Sequence, residues 1–137
     1  MNFNSQICTT KEQSERLVSL DLKKETADMS ISTSSLDTDN GIKYSLTPFA
    51  ECKFRIMYNV IPAWSLHRLI EIMPQWIHTI DGSFKLTIDQ GKLVCYREIS
   101  DEVQTFVFGH TSLYDSIIDI IEKLIKEGHF NKEYLEE

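Results

Sequence analysis

The chain has 137 residues and a formal net charge of −7, with 14 Lys and Arg against 21 Asp and Glu. That balance argues against a surface built to replace counterions along a nucleic acid, and equally against an anionic membrane surface. Hydrophobic residues make up 42%, an ordinary globular proportion, so a single domain with a real core is expected over 1–137.

The opening residues, Met1 to Gln6, lack the charged start and apolar block of a signal peptide. Residues 1–8 read as a loose start. Thr9 or Thr10 can cap a helix, with Glu12 or Gln13 three residues on as the partner of a capping box. That helix runs to about Leu20 and docks by a thin edge of Leu17, Val18, Leu20 and Leu22. Ser30 to Gly41 is rich in Ser, Thr, Asp and Asn, and Asn40-Gly41 is a turn signal, so 30–41 reads as a flexible loop or hairpin arm. Ile42, Tyr44 and Leu46 alternate as a strand that Pro48 breaks. Cys52, Phe54 and Ile56 alternate again.

Val60 to Pro74 is the most sharply punctuated stretch and reads as one short helix between two prolines. Pro62 suits a first helical turn, and Ser65 can cap if the helix starts later. Leu66, Leu69, Ile70 and Met73 share one face. Pro74 stops the helix. His67 and Glu71 lie off that face, four apart, and read as a solvated pair, since two residues are too few for a metal site. Trp64 reads first as an anchor in the core or at its edge, whose N–H needs a partner.

After Pro74 the pattern turns to β. Phe84, Leu86 and Ile88 alternate with Lys85, Thr87 and Asp89. Asp89-Gln90-Gly91 is a tight turn, Lys92 to Ile99 returns, and Val103 to Phe108 completes a meander. Ser112 caps a final helix, in which Leu113, Tyr114, Ile117, Ile118, Ile120, Ile121, Leu124 and Ile125 fill one broad arc. Gly128 is placed to end it, with Phe130 closing the end by an apolar contact. The tail 131–137 reads as loose. The expected fold class is α+β: a small antiparallel sheet, built from the meander 84–108 plus one or two strands from 42–58. Helices near 64–73 and 113–127 cover it mainly on one face.

Two blocks carry a resemblance. The run Thr10 to Leu22, followed by Glu25-Thr26-Ala27-Asp28-Met29, resembles the opening of a group of small uncharacterised proteins found in gut bacteria, their prophages and mobile elements. Pro62-Ala63-Trp64-Ser65-Leu66 through Met73-Pro74 is similar to that group's most recognisable internal motif. The matched pieces, with the closing helix, cover roughly a third of the chain. The chain departs from the group at Asp21, where the group often has Gly. The resemblance implies an intracellular accessory protein of a mobile element and transfers no catalytic residues.

The inventory for chemistry is thin. No nucleotide-binding glycine motif, zinc-protease motif or nucleophile elbow is present. The four histidines, His67, His78, His110 and His129, have no ligand spacing, so neither metal nor cofactor is expected. Cys8, Cys52 and Cys95 lie far apart and in odd number, which reads as reduced thiols in a cytoplasmic protein. A Cys95–His110 pair across neighbouring strands is conceivable, against the plainer reading of a core thiol and a loop histidine. Lys85, Lys92 and Arg97, interspersed with Asp89 and Glu98, read as a mixed solvated face.

The leading functional reading is therefore a non-enzymatic protein-interaction module. It would use the spare width of the last helix, at Tyr114, Ile118 and Ile125, to meet a protein partner or a second copy of the chain. A small-ligand module is the alternative, with Trp64, Trp76 and Tyr96 stacking a base or similar ring. An acidic mimic of DNA ranks below both, because the charge is interspersed and not gathered in a stripe. Catalytic groups converging from distant positions remain open.

Overall fold

The computed structural model describes residues 6–33, 42–52, 59–80, 82–89, 93–98, 105–107 and 113–137. The chain is α+β, and every strand pair among the described residues is antiparallel. It divides into two compact units, Met1–Leu69 with Glu133–Glu137, and Ile70–Lys132.

The first unit opens with α1, Lys11–Ser19. Its capping box forms as expected. Gln13 N–H donates to Thr10 Oγ1 at 3.2 Å, and Thr10 N–H donates to Gln13 Oε1 at 3.0 Å, so two amides with no helical partner are satisfied together. The helix ends in a Schellman arrangement. Asp21 N–H reaches the Val18 carbonyl at 3.0 Å and Leu22 N–H reaches that of Leu17 at 3.3 Å. Asp21 sits at φ 68 to allow this, a conformation that Gly adopts without cost.

Three strands follow: β1, Met29–Thr33, β2, Ile42–Ser45, and β3, Val60–Ala63, in the order β2-β1-β3. One expectation is narrowed and one corrected here. Ser30 to Thr33 is a hairpin arm and not a loop, in the central strand of a sheet and paired antiparallel with β2. Its alternation is legible in Met29 and Ile31, which are buried with Cys8 and Ala63 in one apolar cluster. Pro62 lies in a strand and not in the first turn of a helix. It stands opposite Ser30 at the outer edge of the sheet, where a residue without an N–H is tolerated. Cys52 follows a 3-10 turn over Phe49–Glu51. The strand expected through Phe54 and Ile56 lies outside the described residues.

α2, Leu66–Ile72, is shorter than the expected 64–73. Ser65 is its cap, its hydroxyl accepting from Arg68 N–H at 3.2 Å. The division between the two units falls within this helix.

The second unit carries a four-stranded sheet in simple meander order: β4, Trp76–Thr79, β5, Gly82–Asp89, β6, Leu93–Glu98, and β7, Thr105–Val107. The expected meander is there, extended by β4. The strand near 42 does not join it, so the expected single sheet is in fact two. α3, Leu113–Lys126, packs on β6. Its Ile117, Ile118, Ile120, Ile121 and Leu124 are all buried, each contributing roughly 1.5–3 kcal/mol of transfer free energy before entropy. Gly128, at φ 77, ends the helix. Its N–H reaches the Ile125 carbonyl at 3.2 Å, and His129 N–H reaches that of Leu124 at 2.9 Å.

The tail is held, contrary to expectation. Lys23 N–H donates to the Tyr134 carbonyl at 2.8 Å, Glu136 N–H donates to that of Asp21 at 2.7 Å, and Leu22 bridges Leu135. These bonds pair backbone groups at the end of α1, which a tail loose in solvent would leave to water.

The two helix ends give opposite predictions. Asp21→Gly relieves a left-handed side-chain residue and should raise stability by on the order of 1 kcal/mol. Gly128→Ala should lower it by a similar amount through backbone strain alone, because a Cβ there meets nothing within 4 Å. Urea unfolding of both variants checks this.

Candidate functional site

The first unit gathers its polar side chains around Trp64, which is 0% exposed. The indole N–H donates to Thr26 Oγ1 at 2.9 Å, and that hydroxyl donates to the Lys23 carbonyl at 2.6 Å. Trp64 and Thr9 exchange bonds as well. Thr9 N–H reaches the Trp64 carbonyl at 2.9 Å, and Trp64 N–H reaches Thr9 Oγ1 at 3.1 Å. Asp28 then grips the next residue, accepting from Ser65 N–H at 2.8 Å and from the Ser65 hydroxyl. Arg68 Nε donates to the Thr26 carbonyl at 2.8 Å. The groups of this network answer one another, so its work is structural. Trp64 has no open ring face and is removed from the ligand-stacking candidates.

Two depressions flank this region of the first unit. One, a cavity of about 180 Å³, lies between α1 and the β3 edge, with Val18, Ile61 and Pro62 as its apolar lining and Glu15 and Lys24 beside them. The other, about 270 Å³, is lined by Ser30, Ser32, Ser45, Thr47, Glu51 and Cys52. Its hydroxyls come from one face of the sheet, because Ser30 and Ser32 alternate with the buried Ile31 and Ser45 stands opposite Ser30. Cys52 Sγ donates to Ser30 Oγ at 3.3 Å.

Cys8 is buried in the apolar cluster, and its thiol is pushed up from 9.0 to about 11. Burial disfavours the thiolate, and the Asp28 carboxylate adds repulsion. Such a thiol is inert as a nucleophile at neutral pH.

In the second unit the outer face of the sheet carries Trp76, which is 39% exposed. Its ring lies parallel to that of His78, with centroids 6.1 Å apart and planes within 3°. Lys85, its partner across the ladder, places Nζ 5.8 Å from the ring centroid, within cation–π range. His78 Nδ1 lies 2.9 Å from Ser83 Oγ. Ile80 beyond the strand is fully exposed. β4 was not expected from the sequence. Its signal is an inverted alternation, with Ile77 buried between the exposed Trp76 and His78.

The remaining candidates divide. Tyr114 and Ile118 are buried and offer no open interaction surface, whereas Ile125 stays half-buried. Most of the arc of α3 is buried, which corrects the expected use of Tyr114 and Ile118. Tyr96 stands in register with Leu86 and Phe106, and Cys95 with Thr87 and Val107; their side chains and His110 lie outside the described residues. Arg97 is the register partner of Lys85, while Glu98 pairs with Phe84 and Asp89 with Leu93. Lys92 lies outside the described residues. Among the described residues no three His, Cys, Asp or Glu side chains are grouped to hold a metal ion. None of the helices described is long and apolar enough to cross a membrane.

Compared with protein-family models, with curated proteins and with solved structures, the chain finds no match in any of the three.

The Cys8 thiol predicts a pH dependence. Its pKa is raised in the folded state, so the stability it contributes is complete below pH 9 and is lost as pH rises towards 11. The loss, on the order of 2 kcal/mol, should appear in wild-type urea midpoints across that window. It should be absent from the urea midpoints of Cys8→Ala, whose lower baseline reflects the lost packing, and so appear in the difference between the two curves.

Proposed function

We propose that this protein is a non-enzymatic protein-interaction module, an accessory protein of a mobile element, whose recognition element is β4 and the face beside it. The observation that carries this reading is the exposed Trp76 and His78 on β4, outermost of its sheet among the described residues, with the exposed Ile80 just beyond it. Large aromatic side chains held rigid at the surface are what interface anchors are made of. A formal charge of −7 favours a protein over a nucleic acid as the partner.

Affinity capture from the native host, read by native mass spectrometry, tests it. The wild type should recover a stoichiometric protein companion. Trp76→Ala combined with Ile80→Ser should lose it while unfolding at the same temperature, since both side chains are surface groups. A wild type that recovers nothing, or a companion indifferent to the double variant, sinks the reading.

The hydroxyl-lined cavity of about 270 Å³ supports small-ligand binding as the second reading. A compact polar molecule would fit its lining of Ser and Thr. A panel of nucleotides and polyols should then raise the melting temperature, and the rise should shrink in Ser32→Val. No rise across the panel counts against this reading.

A further inference from the structure

We infer that the partner contributes an extended acidic segment, which adds to the four-stranded sheet as a new strand beside β4. The inference rests on the interaction reading above and names the occupant of that surface.

The ladder itself supplies the first argument. Leu86 N–H donates to the Gln75 carbonyl at 2.8 Å, which sets the phase of the β4–β5 pairing. Pairs alternate between bonded and non-bonded, so Ile77 bonds to Phe84, and Trp76 and His78 turn their backbone N–H and C=O groups away from β5. Among the described residues no strand lies on that side of β4. Edge strands are ordinarily guarded by Lys, Pro or a bulge. Within β4, Trp76-Ile77-His78-Thr79, there is none of these. An open edge with unguarded amides is a template for strand addition.

Charge decides between occupants. Lys85 stands over Trp76, and the described outward side chains beside it, His78, Ser83 and Thr87, include no carboxylate. This cation-bearing patch sits on a chain of net charge −7. Two copies paired through β4 would bring together two acidic molecules and their two Lys85 patches. An acidic segment from another protein instead sets its carboxylates on the face of Lys85 and Trp76, with its alternate, apolar side chains on the face of Ile77.

The test uses the full chain and a labelled peptide of about seven residues alternating Glu and Val, long enough to span β4 at about 3.3 Å per residue. Fluorescence anisotropy should show binding that weakens with salt. The same peptide with Lys for Glu should bind at least about tenfold more weakly, and Lys85→Glu should cost the Glu peptide a similar factor. N-methylation of the peptide's alternate amides, on the edge-facing side only, should abolish binding, which a purely side-chain contact would not predict. Equal binding of the Lys peptide, indifference to N-methylation, or a β4-dependent dimer in sedimentation would each overturn the inference. If the Glu peptide fails while the wild type still captures its companion through Trp76, the interaction reading stands and this inference falls. If no companion is captured either, both fall.

Discussion

Burying an indole obliges the chain to give its N–H an acceptor, and much of the first unit follows from how that obligation is met. Trp64 is sealed from solvent, and Thr26 accepts its ring N–H. Thr9 exchanges backbone and hydroxyl bonds with it. Three segments far apart in sequence thus meet at one residue. An unmet N–H at this depth would cost about 1–3 kcal/mol. The same knot orients what comes next. Ser65, held by both oxygens of Asp28, caps α2, so the carboxylate that follows Ala27 determines where the helix after Trp64 begins.

The two tryptophans show how environment assigns a role to a residue type. Trp64 is spent on folding and Trp76 is left at the surface. The difference lies in the neighbouring apolar side chains. Trp64 follows the buried Ala63 at the end of a strand whose edge is closed by Thr9. Trp76 is on an outer strand, on the face opposite the buried Ile77 and Phe84. Its ring lies beside the His78 ring and Lys85 Nζ, and the residue stays 39% exposed. α3 shows the same allocation in reverse. Its broad apolar arc looks like a docking face on a helical wheel, yet most of it is buried.

Local chemistry was legible wherever the deciding contacts are close in sequence. The capping box of Thr10 and Gln13, the stop at Gly128 and the apolar arc of α3 each depend on partners within a few residues, and short-range patterns describe them. The meander was legible for the same reason, since consecutive strands pair through tight connections. The α+β class follows from those elements alone. Of the candidate site, Trp76 was picked out by type, but the strand that presents it was not.

What the tertiary structure decided is which strands meet. Pro62 fits a first helical turn or an outer strand equally well, and only its place beyond β1 selects the second. Ser30 and Ser32 look like loop residues until Ile31 is seen buried between them. The separation into two sheets, the burial of Trp64 and the held tail all depend on pairings between distant segments. A sequence determines such pairings through the whole chain at once, because strand partners are chosen by the burial they jointly achieve, and no local pattern carries that information.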